Sequence, residues 1–256
     1  VVSAAGDEKF FLRVAIIMSI FVVAGFTLSL VLGRSTFASP LRVHIHAILF
    51  MGWMVIFLLQ NFFAATKRLE LHRRLGWLAS AWLVLMVVSG TWVTILMVRN
   101  GTVPFFFRPA HFLVFDPLAL YTFAGLTAVA IALRRNTAWH RRLHFCSMAI
   151  IIAPAFGRLL PMPYLQPWSW EATFAVSLAF LLVIIGLDMR RSGRLHPAWP
   201  RGIAVIIGLF VATQVLTYSP IGGAIYNKVT TGSKGATIAP LEFGSPPPGL
   251  QITGRS

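Results

Sequence analysis

The chain has 256 residues, of which 57% are apolar and only 11% charged, a balance that excludes a water-soluble domain. Its formal net charge of +15 does not point to nucleic acid, because the basic residues gather in short loops between apolar runs, where anionic headgroups meet them. The expected class is an all-α, polytopic membrane protein with the lipid bilayer as its first partner and no nucleic-acid partner.

Seven segments free of Asp, Glu, Lys and Arg are predicted as transmembrane helices: 14–33, 43–65, 75–98, 117–133, 143–157, 172–187 and 202–220. Most approach the roughly 20 residues needed to cross the hydrocarbon core. The fifth and sixth are the shortest and reach that length only with their histidine-bearing or charged ends. The first follows Lys9 and Arg13 as a secretory signal would, but its length and the lack of an Ala-x-Ala site before Pro40 favour a retained anchor.

Orientation follows from the loops. One side holds Lys9, Arg13, Lys67, Arg68, Arg73, Arg74, Arg134, Arg135, Arg141, Arg142, Arg190, Arg191, Arg194 and Arg201; the other holds Arg34, Arg42, Arg99, Arg108 and Arg158. The positive-inside rule puts the N-terminus inside and the C-terminus outside. Trp168, Trp170 and Trp199, near predicted helix ends, suit interfacial anchoring. Residues 1–220 form the seven-helix domain in this reading. Residues 221–256, enriched in Gly, Ser, Thr and Pro and carrying the run Pro246 to Pro248, form an extended periplasmic tail. That tail is either a free end or a strap on a partner subunit of a larger membrane complex. Cys146 stands alone, so neither an intrachain disulfide, a cysteine metal site nor c-type haem attachment is available.

The motif that organises the rest is His-Arg-Arg-Leu, at His72 to Leu75 and again at His140 to Leu143. His44, with His46 beside it, precedes the first copy, and His111 precedes the second at a matching distance, giving a repeat of about 67 residues, the size of a helix pair. Helices two to five then form a four-helix core from a tandem two-helix repeat, with histidines at alternating ends.

Polar groups inside the bilayer cost a few kcal/mol unless paired or useful, so the few present carry the functional signal. His46, Trp53 and Gln60 are seven residues apart and form one stripe of the second helix. On the fifth, His140, His144 and Arg158 share a face. Topology sorts these into an outer cluster of His44, His46, His111, Asp116 and Arg158 and an inner cluster of His72, His140, His144 and Gln60. Asp116 and Arg158 are the natural structural ion pair.

Two imidazoles on facing helices at similar depth are the axial ligands of a b-type haem. The repeat sets His111 against His44 or His46, and His72 against His140 or His144, giving one or two haems. This order and depth, over residues 44–158, resembles the two-haem transmembrane cytochromes b that pass electrons from ascorbate across vesicle membranes. The likeness implies haem b and electron transfer, transmembrane or quinone-linked. The string from His44 to Gly76, with its His-x-His start, Trp53, Gln60 and Leu-His-Arg-Arg-Leu-Gly close, is similar to an uncharacterised family of seven-helix bacterial membrane proteins. Trp139 to His144 and Ala155 to Pro161 extend the likeness. It implies a Gram-negative inner-membrane location and no established activity.

Other readings sort on chemistry. Retinal needs an intrabundle lysine, and Lys9, Lys67, Lys228 and Lys234 all lie outside the predicted helices. A proton-driven transporter is thinly supported, with Asp116 the single intramembrane acid, although Pro117 and Pro154 are candidate helix breaks. An outer-side Cu or Zn site would use His44 or His46, His111 and Asp116. The alternative without chemistry is an accessory subunit of a respiratory or photosynthetic complex, binding partner helices, lipid or pigment.

Overall fold

In the computed structural model, which describes residues 4–246, the chain is helical throughout, with no strand among the described residues. The helices are α1 (Ala4–Val31), α2 (Leu41–Ala65), α3 (Leu69–Asn100), α4 (Pro109–Ala132), α5 (Thr137–Ile151), α6 (Ala153–Leu159), α7 (Ser169–Ser192), α8 (Ala198–Tyr218) and α9 (Pro220–Thr230). Their ends follow local chemistry. Gly101 and Gly193 take left-handed φ values of +67° and +73° and close α3 and α7, while Asn136 and Ser219 accept backbone N–H groups at the starts of α5 and α9.

Six helices are long and apolar enough to cross a membrane: α1 from Asp7, α2, α3, α4, α7 and α8. Their outward faces are apolar too, with Ile20, Val23, Ile48, Val84, Val183 and Val215 among the exposed residues, and Trp77 is 81% exposed. A bundle greasy on both its inner and outer surfaces is a membrane-embedded one.

The predicted fifth span is two helices. Pro154 lacks the N–H that would continue the ladder from Ile150, and Ile152 is the single residue between α5 and α6. The pair still runs the length of the bundle. At one end Arg141 of α5 meets Asp7 at the start of α1, and at the other Arg34, just past the end of α1, donates to the carbonyl of Arg158 in α6. We call the first end, which also holds the α2–α3, α4–α5 and α7–α8 turns, the basic end. Its counterpart is the opposite end.

α4 lies at the centre, packed on α3, α5 and α8, while α1 packs on α2 and α6, and α6 on α7. The shared core includes Met86, Phe123, Cys146, Leu181 and Trp199, all fully buried. Two glycines let backbones approach. A Cβ on Gly25 would sit 2.5 Å from the carbonyl oxygen of Ala155, and one on Gly202 would sit 2.2 Å from the Cys146 sulfur.

Two expectations change here. The segment from residue 221 is not extended at its start: α9 occupies it, followed by a 3-10 turn at Lys234–Thr237. The strap that follows lies on its own chain. Tyr226 Oη donates to the Gly235 and Ile238 carbonyls, and the Pro240 carbonyl accepts from Ala110 N–H at 2.8 Å. Pro247 and Pro248 lie outside the described residues. Secondly, Trp199 is no interfacial anchor, being fully buried, whereas Trp168 is 66% exposed.

Candidate functional site

At the basic end, the second His-Arg-Arg-Leu copy builds a buried charge network. The Arg142 guanidinium, 3% exposed, forks onto Asp188 of α7 through Nε at 2.8 Å and Nη2 at 3.2 Å. Trp199 Nε1 and Arg191 Nη2 each donate to the same carboxylate at 2.8 Å. Arg191 also reaches Asp7. Four N–H donors therefore satisfy a carboxylate with no solvent exposure, which is what makes a buried ion tolerable. Neither Asp188 nor Trp199 figures among the sequence-derived site residues. Asp188 lies one residue beyond the charge-free run that ends at Leu187, so it is read as a boundary.

Three histidines stand beside this network. His72 at the start of α3 and His140 at the start of α5 have ring centroids 6.2 Å apart, and His144 meets His140 edge-on at 4.7 Å. The two repeat histidines are held in the same way. His72 Nδ1 donates to the carbonyl of Gln60 on α2 at 3.2 Å, and His140 Nδ1 donates to that of Ala130 on α4 at 2.8 Å. A carbonyl can only accept, so in each neutral ring the proton sits on Nδ1 and Nε2 keeps the lone pair. Gln60 contributes its backbone, and its side-chain Oε1 is buried without a partner. Along the predicted stripe, Trp53 is buried and its Nε1 approaches the Met148 sulfur at 3.2 Å.

Outside the membrane-spanning segments, His196 in the α7–α8 turn accepts from Ala198 N–H through Nδ1 at 3.2 Å. Burial lowers its pKa below the ordinary value of 6.5, and the Arg142 charge adds to the effect.

The outer cluster predicted at the opposite end is divided. His44 sits over the α1–α2 loop, its Nε2 3.2 Å from the Phe37 carbonyl. His46 stacks on Phe50 at 4.2 Å. His111, 4% exposed, faces α7 and α8, with its ring 4.7 Å from Trp170 and 6.4 Å from Tyr218. Among the described residues no ring contact joins His111 to His44 or His46. The reason is rotation about α4: the aromatic side chains of α7 and α8 cover the face that carries His111.

Asp116 and Arg158 act on each other electrostatically, but not in direct contact. Ion pairs of 4.0 Å or less among the described residues do not include the two. Asp116 takes the Thr94 hydroxyl instead. Arg158 donates to the Pro154 carbonyl at 2.9 Å and lies 4.0 Å over the Phe26 ring. It turns back along its own helix.

Among the described residues no three His, Cys, Asp or Glu side chains converge as a group able to hold a metal ion. The arrangement at the basic end is therefore a pair of oriented imidazoles beside a closed salt-bridge network, rather than a cage for a bare ion. Neither a family model, nor a curated protein, nor a solved structure matches the chain, so these distances and hydrogen bonds carry the functional reading.

Proposed function

We propose that this membrane-embedded helical protein holds a b-type haem between His72 and His140 at its basic end and takes part in electron transfer. In this reading α5 and α6 act together as one crossing, so the chain passes the membrane seven times with its N-terminus on the cytoplasmic side. The observation that carries the reading is the matched tethering of the two rings, each with Nδ1–H on a carbonyl of the preceding helix and Nε2 left as the ligating nitrogen.

Spacing adds support: the two ring centroids stand 6.2 Å apart, so His72 and His140 would hold the haem between them. Haem iron so held would carry one electron at a time. His140 is preferred to His144 because only His140 has the anchoring bond. The positive charges of Arg141 and Arg134 set the field around His140.

The test is a visible spectrum of the full chain purified from haem-replete cells. We expect a Soret band that shifts on dithionite reduction, lost in both His72→Ala and His140→Ala and retained in His44→Ala. No band in the unmodified protein, or a band surviving both inner substitutions, would overturn the reading. Co-purification with a larger complex in that case would favour the accessory role.

A further inference from the structure

At the opposite end of the bundle a cleft of about 420 Å³ is lined by Arg108 of the α3–α4 loop, Trp168 and Glu171 at the start of α7, Gln214 and Tyr218 in the last turns of α8, and Leu241 of the C-terminal strap. That is room for a small-molecule ligand. The cleft carries charges of both signs, and they are kept apart. Among the described residues no ion pair of 4.0 Å or less includes Arg108 or Glu171. Each is pinned instead by a neutral partner that lines the same cleft. Arg108 Nη1 donates to Tyr218 Oη at 2.7 Å, and Gln214 Nε2 donates to Glu171 Oε1 at 3.2 Å. Gln214 and Tyr218 stand one turn apart on α8, so the two anchors are separated by about 6 Å along the helix axis.

We propose that this cleft holds the headgroup of a phosphatidylethanolamine lipid, with the phosphate on Arg108 and the ammonium on Glu171. The inference does not rest on the haem reading. Charge selects a zwitterion. A simple anion in the cleft meets the carboxylate and a simple cation meets the guanidinium, whereas a molecule with one charge of each sign answers both. Both side chains are half-buried, so each gains from a partner of opposite sign.

The hydrogen-bonding groups narrow the class. Arg108 spends one of its five N–H groups on Tyr218, and its face lies 4.5 Å from the centre of the Phe243 ring, a contact that uses no N–H. The remaining fork matches the oxygens of a phosphate. Glu171 accepts from Gln214 through Oε1 and keeps Oε2 for a further donor. A primary ammonium brings three N–H donors to that oxygen and a quaternary one brings none, which favours ethanolamine over choline.

Position favours a lipid over a soluble zwitterion. The cleft lies where α7 begins and α8 ends, and both are long and apolar enough to cross a membrane. Trp168 is 66% and Tyr218 49% exposed there, the depth at which aromatic residues meet headgroups. Acyl chains leaving the cleft run along the outer face of α8, which exposes Val211 and Val215.

The experiment is native mass spectrometry of the full chain released from nanodiscs containing equal amounts of dioleoyl phosphatidylethanolamine, phosphatidylcholine and phosphatidylglycerol. We expect one phosphatidylethanolamine retained per chain, preferred about tenfold over each of the others, the effect of one hydrogen bond to a charged group. Glu171→Gln keeps an acceptor for Gln214 but removes the charge, and should bring phosphatidylethanolamine and phosphatidylcholine to equal retention. Leu241→Trp fills the rim from the exposed strap and should abolish the retained lipid; it is the deciding variant if Glu171→Gln fails to fold. In a second arm, O-phosphoethanolamine added to the detergent-solubilised chain should bind at least tenfold more weakly than the lipid, for want of acyl chains. Equal retention of another lipid by the unmodified protein, a preference unchanged by either substitution, or equally tight binding of the tailless compound would each overturn the proposal.

Discussion

The two His-Arg-Arg-Leu turns begin alike and end differently. In both, the histidine staples its helix to the carbonyl of the helix before it. Beyond that residue they part. Arg73 and Arg74 are exposed, and among the described residues Arg74 pairs only with Glu70, one turn away on the same helix. Arg141 and Arg142 are drawn inward, the one to Asp7 and the other to Asp188. What differs is the surroundings. The second turn is covered by α1, α7 and α8, whereas the first lies at the edge of the bundle with few neighbours. The same tetrapeptide thus serves as a topological marker where nothing covers it and as a structural keystone where three helices do.

The largest expected effect tests this contrast directly. Asp188→Leu should destabilise the protein by about 3–5 kcal/mol, because it leaves the buried Arg142 guanidinium without a carboxylate, and Arg142→Leu should cost somewhat less, because Arg191 and Trp199 still donate to Asp188. The double substitution should recover most of that loss, and Arg74→Leu should cost no more than about 1 kcal/mol, as exposed pairs do. Thermal unfolding in detergent measures all four. Equal losses at Arg74 and Arg142 would end the comparison.

A smaller effect sharpens it. Trp199→Phe removes one of the donors to Asp188 while keeping most of the buried volume, and should cost about 1.5–3 kcal/mol, typical of a hydrogen bond to a charged group. In a protein already carrying Asp188→Leu, the same change should cost much less, since the acceptor is gone.

The smallest effect concerns pH. His196 has a lowered pKa in the folded state, so below the ordinary value of 6.5 the unfolded chain binds more protons than the folded one. Stability should therefore fall as pH drops below about 6.5, by a fraction of a kcal/mol, as protonation of Nδ1 also ends its acceptance from Ala198. His196→Asn keeps a side-chain acceptor without titrating. It should flatten that part of a stability-against-pH curve, and an unchanged slope would assign the effect to another group.

Composition made the helical, membrane-embedded character legible, because apolar runs near span length have few other uses. The shared staple of His72 and His140 gives the repeated turn a physical role. Contacts between distant segments were not legible. The partner of Arg142 lies 46 residues on, and a charge-free criterion places both ions outside the helices they anchor. Nor does sequence spacing fix helix rotation. The aromatic side chains of α7 and α8 claim the face of α4 that carries His111. Arg158 feels the Asp116 charge, as its spacing suggested, but its hydrogen bond goes to the carbonyl of Pro154, the residue at the helix break.

The contact of Gly202 with Cys146 turns an inert side chain into a gauge. The sulfur is fully buried where α5 and α8 nearly touch, and it is the sequence's only thiol. A maleimide can reach it only when those helices separate, so labelling rates time the breathing of the bundle at the level of the Arg142–Asp188 network, with no foreign probe installed.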